Sequence, residues 1–63
     1  MYMSNFKVEL IVIGEGTFDE IIDFETVQLM MQSEYVTIAE NTISVNYKEV
    51  TSDGIVRFKG ERI

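Results

Sequence analysis

Thr17-Phe18-Asp19-Glu20-Ile21-Ile22-Asp23-Phe24-Glu25-Thr26-Val27-Gln28-Leu29-Met30-Met31-Gln32-Ser33 is the stretch that decides the fold, because it reads either as one long helix or as a strand followed by a short helix. Thr17 and Glu20 fit a capping box, which would start a helix at Phe18. At roughly 100° per residue, however, Phe18, Ile21, Ile22 and Leu29 fall on one side of that helix and Phe24, Val27, Met30 and Met31 on the other. A helix apolar nearly all round suits the interior of a large protein, not a chain of 63 residues. A break at Asp23 removes the conflict. Asp is a strong N-cap, and Ile22 and Val27 then occupy the hydrophobic-staple positions. The preferred reading is a strand over Thr17–Ile22 and a helix over Phe24–Ser33, with Phe24, Val27, Met30 and Met31 as its buried face and Leu29 off it.

Upstream, Gly14-Glu15-Gly16 is a turn that joins Thr17–Ile22 to a first strand, Phe6–Ile13, as a hairpin. In that first strand Phe6, Val8, Leu10 and Val12 share one face. The other face begins polar at Lys7 and Glu9 and turns apolar at Ile11 and Ile13, the pattern of a strand central in its sheet or covered on both sides. Downstream the period changes to two. Tyr35–Ala39 is a strand, Glu40-Asn41 a short turn with Asn as the residue tolerant of left-handed geometry, and Thr42–Val50 the clearest strand. There Ile43, Val45 and Tyr47 point one way, and Thr42, Ser44, Asn46 and Lys48 the other. Thr51-Ser52-Asp53-Gly54 is a turn, and Ile55–Arg62 the last strand, with Val56 and Phe58 inward, Arg57 and Lys59 outward, and Gly60 as a bulge or the end of pairing. The expected class is α+β: a β-hairpin, one short helix at about 24–33, then a three-stranded antiparallel meander, in a single domain over residues 1–63. The alternative is a βαβββ order with a longer helix over 18–33.

A domain of this length buries only about 60% of the surface its unfolded chain exposes, so its core is thin. The chain has no Cys and no His, which removes disulfides, thiolate or imidazole metal sites, and Cys- or His-dependent nucleophilic catalysis. Self-association is one remaining source of stability, so a homodimer is kept open. The net charge is −6, with no Lys or Arg between Lys7 and Lys48. No apolar run approaches membrane-spanning length, and Met1-Tyr2-Met3-Ser4-Asn5 lacks the features of a signal peptide, so the expected compartment is the cytoplasm.

No nucleotide-binding or EF-hand motif is present, and Glu15 within Gly14-Glu15-Gly16 would repel a phosphate. Asp19, Glu20 and Asp23 could in principle share acid–base work or a divalent cation. Their plainer reading is solvated charge, with Asp23 capping the helix and Glu25 complementing its dipole. A chain this short also leaves little room for a pocket of roughly 300 Å³. Arg57, Lys59 and Lys48 with Tyr47 and Phe58 resemble a nucleic-acid surface, but alternation turns both aromatics inward and the overall acidity opposes a phosphate backbone. Nucleic acid is therefore not the expected partner, and no cofactor or metal is expected. The sequence points to a small non-enzymatic protein-interaction module, in its sharper form an acidic regulator or inhibitor of a basic or nucleic-acid-binding protein. A homo-oligomeric structural or assembly protein is the alternative. The candidate contact residues are Glu15, Asp19, Glu20, Asp23 and Glu25 for an acidic surface, and Ile11 and Ile13 for an apolar patch.

Overall fold

Val8, Leu10 and Val12 of β1 (Asn5–Val12) are almost wholly buried, and this strand is the one around which the sheet is built. The computed structural model describes residues 5–63, so the reading of Met1 to Ser4 as lacking a signal lies outside the described residues. β1 pairs antiparallel with β2 (Gly16–Asp23) on one side and parallel with β5 (Ile55–Arg62) on the other. β5 in turn pairs with β4 (Asn41–Val50), and β4 with β3 (Tyr35–Ile38). The sheet order is β2-β1-β5-β4-β3, with α1 (Phe24–Gln32) between β2 and β3 in sequence.

This corrects the expected class. The hairpin and the C-terminal strands are not separate units beside a helix. They form one five-stranded mixed sheet, curled nearly into a barrel, and 64% of the described chain is strand. The alternative with a helix over 18–33 is overturned as well, since Phe18–Asp23 belongs to β2. The reason is the parallel contact of β1 with β5. The outer-face run of Ile11 and Ile13 signals a central strand, but alternation carries no information on which distant strand lies beside it. With nine residues, α1 is also too short to form a layer across five strands.

The sheet curls around one core. β1 supplies Val8, Leu10 and Val12, β5 supplies Val56 and Phe58, and Val36, Ile38 and Ile43 come from β3 and β4. Only Val27 of the helix is fully buried. Met30 and Met31 pack on the core half-exposed, and Phe24 stays largely outside, its ring 5.8 Å from that of Phe6. Leu29 is 66% exposed. The edge strands approach each other where Glu20, facing inward beside Val8, accepts a 3.4 Å bond from the Ala39 backbone N–H. Among the described residues no helix is long and apolar enough to cross a membrane.

Candidate functional site

The outer face of the sheet is organised by one irregularity. In the β4–β5 ladder Val45 pairs with Gly60 and Tyr47 with Lys59, which leaves Asn46 as an extra residue in β4. Such a bulge shifts the alternation by one position and re-aims the side chains beyond it. Ile43 and Val45 face the core. After the bulge Tyr47 faces outward, 64% exposed, and Lys48 faces inward. The sequence reading placed both the other way round. Gly60 permits this geometry, because a Cβ at that position would overlap the Ser44 carbonyl carbon and oxygen.

Lys48, once turned inward, donates a 2.6 Å hydrogen bond from its ammonium to the Met31 carbonyl. That carbonyl lies in the last turn of α1, where backbone oxygens lack helical partners and a cation is favoured. At the other end Asp23 is the N-cap. Its Oδ2 accepts from the Thr26 backbone N–H at 3.0 Å, and its Oδ1 from the Thr26 hydroxyl at 2.7 Å. These bonds hold the Asp23 carboxyl below its ordinary value, the Thr26 hydroxyl contributing most.

Outward-facing Ile11, Lys59 and Tyr47 lie side by side on β1, β5 and β4. In the adjacent row Glu9, Arg57 and Glu49 are neighbours on the same strands. Together these elements line an open groove of about 470 Å³, bounded by Ile11, Tyr47, Lys48, Glu49, Arg57 and Lys59. It is larger than the sequence reading allowed, though open and not enclosed. The Lys59 ammonium lies over the Tyr47 ring, 5.7 Å from its centre. Arg57 Nε donates to Glu9 Oε1 at 2.7 Å and Arg57 Nη1 to Glu49 Oε1 at 3.1 Å. Lys7 extends the network, 3.7 Å from Glu9 and 4.0 Å from Asp19. Bonding to Arg57 lowers the Glu9 carboxyl, and bonding to Glu9 raises Arg57 further.

The five acidic residues read as one surface do not form one face. Asp19 points outward beside Glu9, and Glu20 inward beside Val8. Asp23 is engaged as the helix cap, and Glu25 is exposed in the first helical turn. Glu15, in the turn, accepts 2.8 and 3.0 Å bonds from Arg62 Nε, which lowers its carboxyl and raises Arg62. Ile11 is half-buried in the groove wall. Ile13 is 43% exposed beyond the end of β1, where its N–H bonds the Gly60 carbonyl at 2.9 Å. The structure thus brings Ile11 together with Tyr47, Arg57 and Lys59; sequence reasoning groups Arg57 and Lys59 with Tyr47 but turns Tyr47 inward and leaves Ile11 outside the set. The available signal was Gly60: a glycine inside a strand pattern marks a bulge or close backbone approach, and a bulge opposite it reverses the facing of Tyr47.

Chemically the groove offers an aromatic face, an aliphatic wall, the Lys59 ammonium, and the Arg57 guanidinium paired with the Glu49 carboxylate. The carboxylates with shifted acidity, Glu9, Glu15 and Asp23, are all held more firmly ionised, the opposite of what a general acid requires. Among the described residues no group of three Asp or Glu side chains could hold a metal ion. No protein-family model matches the chain, and neither a curated protein nor a solved structure shows significant similarity to it.

Proposed function

We propose that the chain is a small non-enzymatic protein-interaction module that meets its partner through the outer face of the sheet. One observation carries this reading: the bulge at Asn46 turns Tyr47 out beside Ile11 and Lys59, on the rim of an open groove. A tyrosine supplies a large amphipathic contact at low entropic cost, which is why it is enriched at the centres of protein interfaces. The cytoplasm is its proposed compartment, a default taken from the sequence reading. The narrower form, an acidic regulator of a basic or nucleic-acid-binding protein, draws its support from the net charge of −6 and from Asp19 and Glu20 along the edge strand β2.

A second reading, homo-oligomeric assembly, draws on Ile21, which is 65% exposed on the outward face of β2, and on Ile13, 43% exposed beyond the far end of β1. Capture experiments with wild type, Tyr47→Ala and Ile11→Glu, each checked for fold by circular dichroism, separate these ideas. A specific partner retained by wild type and lost by both variants supports the outer-face module. Equal capture by all three rules it out. A dimeric mass in dilute solution that becomes monomeric in Ile21→Glu or Ile13→Glu supports assembly instead. A partner released steeply by salt but indifferent to both variants points to the acidic residues.

A further inference from the structure

Four of the chain's five cations are already engaged. Lys7 lies beside Glu9 and Asp19, Arg57 bonds Glu9 and Glu49, Arg62 bonds Glu15, and Lys48 bonds the Met31 carbonyl. Lys59 is the exception. Among the described residues its ammonium meets no carboxylate or carbonyl, and it lies over the face of Tyr47. An ammonium carries three hydrogen-bond donors, and an aromatic face provides no full acceptor for them. The groove therefore presents an unmatched positive charge between two apolar surfaces, on a molecule whose net charge is −6.

We infer that this groove receives a short peptide segment of a partner protein that carries one carboxylate beside an apolar side chain. The carboxylate bonds the Lys59 ammonium, and the apolar side chain lies against Ile11 and the Tyr47 ring. The inference rests on the interaction-module reading and names the chemistry of that module's partner. Charge complementarity selects it. The charge of Arg57 is matched by Glu9 and Glu49, so the unpaired charge in the groove is that of Lys59. Lys59 and Ile11 are neighbours on adjacent strands, about 4.8 Å apart along the ladder, so neighbouring residues of one peptide reach both. A polyanion such as single-stranded nucleic acid is disfavoured by charge, on a molecule whose net charge is −6. A chain of phosphates would extend past the groove to Glu9, Glu49 and Asp19.

The test is an amide-shift titration by NMR with three probes: a capped peptide with one glutamate between two leucines, its glutamine counterpart, and a twelve-nucleotide oligothymidylate. The glutamate peptide is expected to move the amides of Ile11, Tyr47 and Lys59. The glutamine peptide, and the glutamate peptide on Lys59→Gln, are each expected to bind about tenfold more weakly, the scale of losing one charged hydrogen bond. The peptide swap leaves the protein unaltered, so the result does not depend on how the variant folds. Equal binding of both peptides, no shift with the glutamate peptide, or tighter binding of the oligothymidylate would each overturn the inference. If that happens while Tyr47→Ala and Ile11→Glu still lose a captured partner, the interaction module stands and only the nature of its ligand is wrong. If capture is indifferent to those variants, the underlying reading fails as well.

Discussion

Gly60 shows how one missing Cβ can set a whole surface. Its backbone lies against the Ser44 carbonyl, and that close approach coincides with the extra residue in β4 that turns Tyr47 outward. Gly60→Ala forces the two strands apart beside Phe58, in the middle of the core. The expected loss is about 3 kcal/mol or more, since overpacking against backbone has no flexible neighbour to give way. In a domain of this size that lowers the melting temperature by about 12 °C or more, read by circular dichroism. An unchanged melting temperature would mean that β4 can move aside freely and that the bulge is not pinned at Gly60. Gly60 was legible in the sequence as an anomaly in a strand, but its consequence for Tyr47 and Lys48 was not, because uninterrupted alternation is the default assumption for a ten-residue strand. The β3–β4 turn shows a similar slip. The left-handed residues are Ala39 and Glu40, with φ of 51° and 67°, while Asn41 uses its side chain to donate to the Ile38 and Ala39 carbonyls. Asn tolerates left-handed backbone and also bonds locally through its side chain, and composition does not say which property a given turn uses.

Among the elements, α1 and β5 have limits that could be read from sequence, and α1 is the more instructive. The alternating sides of Phe18, Ile21 and Ile22 against Phe24 and Val27 rule out one continuous amphipathic helix, and Asp23 is the residue that can begin a new one. Its burial was less legible. Only Val27 is deeply covered, because a helix of nine residues at the margin of a curled sheet has one turn against the core. Such a helix depends on its ends. Asp23→Ala removes both bonds to Thr26 and is expected to cost about 1 kcal/mol, a drop of about 4–8 °C in melting temperature. Asp23→Asn keeps an acceptor for the Thr26 backbone N–H and should recover most of the loss. If Asn and Ala are equally destabilised, the carboxylate acts through its charge on the helix dipole and not through the cap bond. The same residue was a candidate partner contact. Its use in the cap explains why an acidic cluster read from sequence spacing does not become one acidic face.

At the scale of the whole molecule, what escaped the sequence is the joining of the N-terminal hairpin to the C-terminal strands in one sheet. Lys7 lies beside Ile55 and Glu9 beside Arg57 across the parallel β1–β5 contact, and nothing in either strand's own alternation names the other as its neighbour. The ion pairs follow that long-range connectivity. Arg57 joins Glu9 of β1 to Glu49 of β4, and Arg62 ties the end of β5 to Glu15 in the β1–β2 turn. These links make the stability of the sheet sensitive to acid. Glu9, Glu15 and Asp23 ionise more readily folded than unfolded, so below their ordinary values the unfolded chain takes up protons first. Their contribution is fully present above about pH 4.5, the ordinary glutamate value, and is lost as the pH falls through the lowered folded values. An opposing effect exists. At net charge −6 the molecule repels itself, and acid relieves that repulsion. The pairs should prevail, because protonation breaks contacts as short as 2.7 Å, whereas repulsion between separated surface charges is already weakened by salt. A pH series of melting temperatures in 0.15 M salt is therefore expected to be flat from pH 7 to 5 and to fall below about 4.5. Arg57→Gln, which removes the partner of Glu9, should make that fall shallower. A melting temperature that climbs steadily down to pH 3 would show instead that the excess negative charge, and not the Arg57 and Arg62 pairs, governs the stability of the curled sheet.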